Sequence, residues 1–291
     1  MQLLDGSLVS AHIKGQIKSE AAGMTAKGGR APHLAAILVG EDAASQVYVG
    51  SKVRTCEELG FGSTLLRFGS DISEQALLEQ VNQLNANSEV DGILVQLPLP
   101  KHISSDAVIN AIDPHKDVDG FHPISQGKMV LGQPSFLPAT PYGILLMLQH
   151  YGIKPSGMNA VVIGRSNIVG TPMSILLSRN TDTGNATVTL AHSRTKNLKE
   201  ICLEADLIVA AIGIPQFLKA DMVKEGVIVV DVGINRIADA SRKSGSRLVG
   251  DVDFDNVAPK CSWITPVPKG VGPMTICGLM KNTLLARQLS L

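Results

Sequence analysis

Tyr48 and Lys52 stand four residues apart, so within a helix both project from one face. A lysine drawn out of water beside a phenol has a lowered pKa and can exchange protons near neutrality. The same spacing also fits a solvent-facing lysine beside a half-buried tyrosine. Gln96 closes the apolar run Gly92-Ile93-Leu94-Val95 and precedes Leu97-Pro98-Leu99-Pro100. The carboxyl edge of a parallel strand is where α/β proteins contact ligands, although a plain capping role fits as well. Asp117 and Asp119 lie in Lys116-Asp117-Val118-Asp119-Gly120-Phe121-His122-Pro123. Two carboxylates suggest a metal, yet no Glu or His completes oxygen-ligand spacing, and Asp is common in turns. Asp251-Val252-Asp253-Phe254-Asp255 begins like a calcium loop but has Asn256 where the loop needs Gly and Ser262 where it needs Glu, so no metal site is expected. His122 and His192 have no Ser or Cys nucleophile in a recognisable elbow, which argues against a hydrolytic triad.

A second group of residues points to a nucleotide. In Ala160-Val161-Val162-Ile163-Gly164-Arg165-Ser166-Asn167-Ile168-Val169-Gly170 one Gly ends an apolar strand and another opens a helix. Phosphates bind at such helix N-termini. The spacing departs from G-x-G-x-x-G: Ser166 stands at the second Gly, and the last Gly comes one residue late, so a plain strand-to-helix turn fits too. The end of the next strand reads Ala191-His192-Ser193-Arg194-Thr195-Lys196. Hydroxyls and cations in place of a carboxylate would accept a phosphate on the ribose, which favours NADP over NAD. The alternative is a helix cap with solvated cations. In Asp231-Val232-Gly233-Ile234-Asn235, the Gly either admits the nicotinamide or makes the turn.

The elements that must position these groups alternate along the chain. Helical spacing from Ser7, a candidate cap, runs to Gly28-Gly29. Strands are expected over 33–40, 63–68 and 92–97, and helices over 43–59, 73–85 and 105–111. Short continuous apolar strands suit a parallel sheet covered on both faces. Periodicity stops from 113 to 137, a connection long enough to be functional or a boundary. A second series follows: helix 141–151, strand 159–163, helix from 170, strand 187–191, helix 198–204, strands 207–211 and 227–230, and a last helix from Thr275. The expected fold is α/β, two lobes flanking a cleft, with residues 1–138 as the first lobe, 139–274 as a Rossmann-like second, and 275–291 packing back on the first.

Composition narrows the classes. With 26 basic and 26 acidic side chains the formal charge is zero, so neither nucleic acid nor an anionic membrane is an expected partner. Hydrophobic residues at 44% provide a sizeable core, while aromatics at 3% disfavour an aromatic-rich binding module. Cys56, Cys202, Cys261 and Cys277 lack zinc or C-x-x-C spacing, which reads as reduced thiols. With no signal-peptide pattern and no long apolar run, a cytoplasmic protein starting at or near Met1 is expected.

Five ordered motifs carry a resemblance: Tyr48-Val49-x-x-Lys52; Gly92 through Pro100; Lys116 through Pro123; Gly164-Arg165-Ser166 through Val169-Gly170-x-Pro172; and Pro266-Val267-Pro268 through Gly270-Val271-Gly272-Pro273-Met274-Thr275. Together the chain resembles, end to end, the bifunctional methylenetetrahydrofolate dehydrogenase/cyclohydrolase (FolD) family. The resemblance implies that NADP⁺ takes a hydride from 5,10-methylenetetrahydrofolate and that water then opens the methenyl cation to 10-formyltetrahydrofolate, within one-carbon metabolism. It implies Lys52 as the key catalytic group, Tyr48 stacking on the folate, Gln96 setting the protonation of Lys52, and Asp119 anchoring the pterin. It places Gly164, Arg165, Ser166, Ser193 and Ile234 on the cofactor and Gly272, Pro273 and Met274 beside the folate. A homodimer is usual in the family.

Three positions depart from the family pattern. Ala139-Thr140-Pro141 replaces Cys-Thr-Pro, which argues against a required thiol. Ser125 replaces an Asn, and Lys269 replaces a Gly whose backbone could need positive φ. Two other functions were weighed: a two-lobed NAD(P)-dependent dehydrogenase of a small amino or hydroxy acid, disfavoured because the first lobe shows little sign of an Arg clamp for a carboxylate, and a non-catalytic folate-binding protein, for which no catalytic group is missing.

Overall fold

The computed structural model describes residues 1–239, 241 and 245–290. It divides into two compact units, one of Ala11–Ala139 with Ile276–Leu291 and one of Met1–Ser10 with Thr140–Thr275. In chain order the first half contains β1 (Gln2–Leu3), α1 (Gly6–Ala26), β2 (His33–Val39), α2 (Ala43–Leu59), β3 (Gly62–Phe68), α3 (Glu74–Ala86), β4 (Gly92–Val95), α4 (Ser105–Ala111) and α5 (Pro123–Val130). The second half contains α6 (Ala139–His150), β5 (Asn159–Ile163), α7 (Gly170–Ser178), β6 (Thr187–Ala191), α8 (Leu198–Leu203) and β7 (Leu207–Ala210). It continues with β8 (Val227–Asp231), β9 (Asn235–Ala238), β10 (Ser246–Val249), α9 (Phe254–Val257), β11 (Cys261–Ile264) and α10 (Val271–Leu289).

The unit holding Lys52 is built on a parallel three-stranded sheet in the order β3-β2-β4. Central β2, His-Leu-Ala-Ala-Ile-Leu-Val, is buried from Leu34 to Val39, the run expected of a parallel strand covered on both faces. Ala35, Ile37 and Val39 share one core cluster with Leu77, Val81 and Leu84 of α3 and with Ile93 and Val95 of β4. Helix α2 starts where the Asp42 side chain accepts from Ser45 N and stops at Gly60, left-handed at φ 75°. An Asp cap of this kind is worth about 1 kcal/mol. Ser45, Val49, Lys52, Cys56 and Leu59 are among its buried residues, and their alternating spacings of four and three trace one helical face.

The other unit is a six-stranded sheet in the order β1-β11-β8-β7-β5-β6, with parallel pairings throughout. After β5 the chain goes first to β6 on one side and then to β7 on the other, so the strand order reverses at β5. A ligand crevice is expected at the carboxyl ends of strands at such a reversal. Strands β7 and β8 are buried at every position, and Ile208, Val229 and Ile264 join one apolar cluster with Val161. An antiparallel pair, β9-β10, stands apart.

Several local expectations change. Residues 1–10, expected in the first lobe, group with the six-stranded sheet, because β1 pairs with β11 and Leu4 N donates to Ile264 O at 2.9 Å. The first helix is capped by Asp5 rather than Ser7: its Oδ1 accepts from Ser7 N at 2.9 Å and Leu8 N at 3.1 Å. The stretch 113–137 contains α5, with Pro123 in its first turn and the His122 side chain accepting from Ile124 N. It is too short to show a period, with Ser125 and Met129 its buried residues. The last helix starts at Val271, before Thr275. All four cysteines are buried and none forms a disulfide, and burial pushes the Cys56 thiol up to about 12. Among the described residues, no helix is long and apolar enough to cross a membrane and no acidic, His or Cys cluster could hold a metal.

Candidate active site

Lys52 is 7% exposed, which overturns the solvent-facing alternative. The ammonium rides the buried face of α2 and donates from Nζ to Gln96 Oε1 at 3.1 Å. Gln96 sits one residue beyond β4, where its backbone N–H continues the ladder to Ile37 O at 2.9 Å. Its Nε2 donates to Leu97 O at 2.7 Å, so the amide oxygen is the end presented to Lys52. Burial lowers the Lys52 pKa, while the field of Asp119 opposes the shift. Tyr48, one turn before Lys52, is half-buried, and burial raises its pKa, so the phenol stays neutral at physiological pH.

Asp119 faces the same group from another element. Its carboxyl is pushed up to about 6, first by burial, with Lys52 pulling it down and Asp117 pushing it up. Among the described residues no hydrogen bond reaches its carboxylate. The backbone beneath it is fixed from several sides. Lys116 O accepts from Ile93 N at 2.8 Å, which lays this segment beside β4, and a side chain at Gly92 would collide with Val118. Gly120 has φ +72° and packs against Leu137–Pro138. Asn282, on α10 and 1% exposed, donates through Nδ2 to both Val118 O and Leu137 O at 2.8 Å. Asp117 accepts from Phe121 N at 3.1 Å and His122 N at 2.8 Å. Burial raises Asp117 to about 6, against backbone bonds and one from the Ser125 side chain. Ser125, the departure from Asn, therefore helps hold the loop that presents Asp119.

In the six-stranded unit, Gly164 follows β5 at the strand-order reversal with φ +115°. A side chain there would overlap Ala211 O, and one at Gly170 would overlap Gly164 O. Both glycines are thus required by close packing of three backbones. The Ser166 hydroxyl accepts from Val169 N at 3.2 Å and Gly170 N at 3.4 Å, closing the turn into α7. Arg165, Ser193 and Arg194 are exposed. The cap alternative for 193–196 fails, since Asn197 occupies the N-cap position of α8. Instead Thr195 Oγ1 accepts from His192 N, and His192 Nδ1 from Arg194 N. Guanidinium and hydroxyl groups at the ends of β5 and β6, with no carboxylate from 191 to 196, suit an anionic, phosphate-bearing cofactor.

The structure brings Tyr48, Lys52, Gln96 and Asp119 together in one unit. Gly164, Arg165, Ser166, Ser193 and Ile234 belong to the other. Gly272 and Pro273, in the first turn of α10, also fall in that unit, where a Cβ on Gly272 would lie 3.6 Å from the Ile234 side chain. Gly233 answers to packing, because a side chain there would overlap Asp251. Two supporting residues escaped the sequence reading. Asn282 was legible only as a polar residue on an otherwise apolar helix face, and Asp251 only as part of a calcium loop that does not exist.

Comparison with known proteins now has a geometry to meet. The catalytic-domain model of the tetrahydrofolate dehydrogenase/cyclohydrolase family matches residues 4–119, and its NAD(P)-binding-domain model matches residues 138–290. The chain belongs to this family. A bifunctional protein FolD of Cytophaga hutchinsonii is 59% identical over 99% of the chain and 100% of its own length. A solved bifunctional FolD of Campylobacter jejuni is 49% identical, with a TM-score of 0.93 and full coverage of both chains. The Trypanosoma brucei methylenetetrahydrofolate dehydrogenase-cyclohydrolase, solved with NADP and an inhibitor, is 35% identical with a TM-score of 0.93, covering 98% of this chain and 97% of its own. Within the tetrahydrofolate dehydrogenase/cyclohydrolase family, this chain keeps Lys269 at a position with φ +83°, so the Gly-to-Lys departure falls on a left-handed residue.

Proposed function

We propose that the chain oxidises 5,10-methylenetetrahydrofolate to 5,10-methenyltetrahydrofolate with NADP⁺ and hydrolyses that product to 10-formyltetrahydrofolate, with the three-stranded unit taking the folate and the six-stranded unit the cofactor. The observation that carries this reading is Lys52: a buried lysine hydrogen-bonded to Gln96 and opposed by Asp119, in a chain of this family.

NADP⁺, when bound, supplies the hydride acceptor for the first reaction. Arg165, Ser166, Ser193 and Arg194 would hold its phosphates and ribose, and Ile234 would border it, with Gly272 and Pro273 beside the folate. Asp119 anchors the pterin, since a carboxylate can accept two parallel hydrogen bonds from a ring N–H and its neighbouring amine. Among the described residues its carboxylate accepts no hydrogen bond, which leaves both oxygens for that task. Tyr48, neutral and half-buried, offers a ring face for stacking. In the second reaction Lys52 handles the proton of the attacking water. A neutral amine accepts that proton, whereas an ammonium would repel the methenyl cation, so the lowered pKa favours hydrolysis. Gln96 accepts from the lysine without adding charge and fixes where its lone pair can point.

We further propose a homodimer acting in the cytoplasm. A coupled absorbance assay with methylenetetrahydrofolate, run with NADP⁺ and with NAD⁺, should show methenyl formation followed by decay, faster with NADP⁺. Absence of NADP⁺-dependent methenyl formation overturns the assignment.

A further inference from the structure

Two buried carboxylates, Asp231 at the end of β8 and Asp251 just after β10, take no part in the chemistry above. Asp251 is 0% exposed and Asp231 2%. Asp251 Oδ2 accepts from Ile212 N at 2.6 Å and Gly213 N at 2.8 Å, and its Oδ1 accepts from Asn235 Nδ2 at 2.8 Å. Asp231 Oδ1 accepts from Gly233 N at 2.9 Å and from Asp251 N at 2.8 Å, and Oδ2 accepts from Val252 N at 3.0 Å. Side chains at Gly233 and Gly250 would overlap Asp251 and Asp231 respectively, so both glycines exist to let the carboxylates in.

These bonds tie together the two backbone turns that leave neighbouring strands. One is Ala211-Ile212-Gly213, whose first carbonyl packs against Gly164. The other is Val232-Gly233-Ile234-Asn235. Both stand at the edge of the sheet where a ligand crevice is expected, beside the strand-order reversal. A loop carrying a ligand contact is precise only when its backbone is held, and one carboxylate accepting bonds from both turns fixes their separation.

We infer that Asp251 is a positioning residue for the dinucleotide: its carboxylate sets the distance between the Gly164–Ala211 contact and Ile234, and so the shape of the nicotinamide end of the cofactor site. This rests on the assignment of the six-stranded unit to NADP. The carboxylate is suited to the task because it takes three N–H donors on two oxygens, which neither an amide nor a hydroxyl can do.

The bifunctional reaction supplies a readout that a general structural role would not move. Hydrolysis of supplied methenyltetrahydrofolate consumes no cofactor, whereas oxidation of methylenetetrahydrofolate does. Asp251→Ala removes the acceptors of Ile212 N, Gly213 N and Asn235 Nδ2 together. NADP⁺ affinity, measured by calorimetry on the unreacted protein, should fall at least about 10-fold. Dehydrogenase kcat/KM for NADP⁺ should fall in parallel, and cyclohydrolase activity should stay within about two-fold of wild type. Asn235→Ala removes one of the three donors and leaves the carboxylate anchored by the other two. It should weaken NADP⁺ binding by a smaller factor with hydrolysis intact, and it decides the question if Asp251→Ala does not fold. Unchanged NADP⁺ affinity in the folded variants overturns the inference alone, as does equal loss of both activities. A wild-type protein that neither binds NADP⁺ nor oxidises methylenetetrahydrofolate overturns the parent assignment and this inference with it.

Discussion

Asp251 is fully buried and Asp119 partly so, and the two carboxylates are held in opposite ways. Asp251 is saturated: three N–H groups converge on its oxygens. Asp119 is held firmly by its backbone, through the neighbouring bonds of Asn282 to Val118 O and Leu137 O, while its carboxylate receives nothing from the described chain. A carboxylate with every lone pair directed at the fold is scaffold. One whose backbone is fixed but whose oxygens are left over is available for a substrate. Lys52 belongs with Asp119 in this respect, since among the described residues its amine bonds only to Gln96, which leaves the other donors or the lone pair for a substrate.

The largest expected effect tests whether the unsaturated cluster is reactive at all. Lys52→Met keeps the stem and deletes the amine, and cyclohydrolase activity should fall about 10²- to 10⁴-fold, the range for loss of a positioned acid-base group. Full hydrolysis of methenyltetrahydrofolate by the purified variant would make Lys52 another piece of scaffold. Next in size is Gln96→Glu, which sets a carboxylate at the 3.1 Å contact with Nζ. An added negative charge favours the ammonium, so the pH at which hydrolysis rises should move upward by about one unit and the rate at neutral pH should drop. An unmoved profile would mean that Lys52 titration does not govern the step.

How much of this was legible in the sequence follows the same division. Parallel strands declare themselves as apolar runs, so β2, β5 and β6 and the helix carrying Lys52 were readable to within a residue at each end. The burial of Lys52 was not, because spacing cannot distinguish the covered side of α2 from the open one. Helix α5 was hidden by its length. The bonds to Asn282 and Asp251 join positions far apart in the chain and leave no periodic trace. A short polar side chain on a helix face otherwise lined by residues such as Leu279 and Ala286, as at Asn282, was the one available sign. Ser125 and Lys269 were legible only as departures, and their settings, a bond to Asp117 and a left-handed backbone, needed coordinates.

Buried carboxylates on both sides of this division also make stability depend on pH. Asp117 and Asp119 titrate at about 6 and Asp231 at about 7, all raised above the ordinary 3.8 by burial. The folded protein therefore retains protons that the unfolded chain releases. The stability these groups contribute is present in full below about pH 4 and is lost as pH climbs through 6 to 7. Asp119→Asn sacrifices no hydrogen bond to the described residues and removes a charge that burial disfavours. Its urea midpoint at pH 8 should equal or exceed that of wild type, and its slope between pH 5 and 8 should be shallower, while folate turnover is lost. Asp251→Ala should lower the midpoint at both pH values, because it leaves the Ile212 and Gly213 N–H groups without their acceptor. Destabilisation of both variants to the same degree would erase the distinction between available and saturated carboxylates.

The smallest effect concerns a position where strain, not charge, is at stake. Lys269 holds φ +83° and its carbonyl accepts from Ser7 N at 3.1 Å. A left-handed residue with a Cβ costs about 1–2 kcal/mol. Replacing it with glycine relieves that strain but frees the unfolded chain, which takes back about 0.4–1 kcal/mol. Lys269→Gly should therefore stabilise the protein by no more than about 1.5 kcal/mol and leave both activities unchanged, as read from urea midpoints and initial rates. A gain in stability accompanied by a loss of dehydrogenase activity would instead show that the conformation held by Lys269, just before the turn carrying Gly272 and Pro273, is tuned for substrate rather than tolerated by the fold.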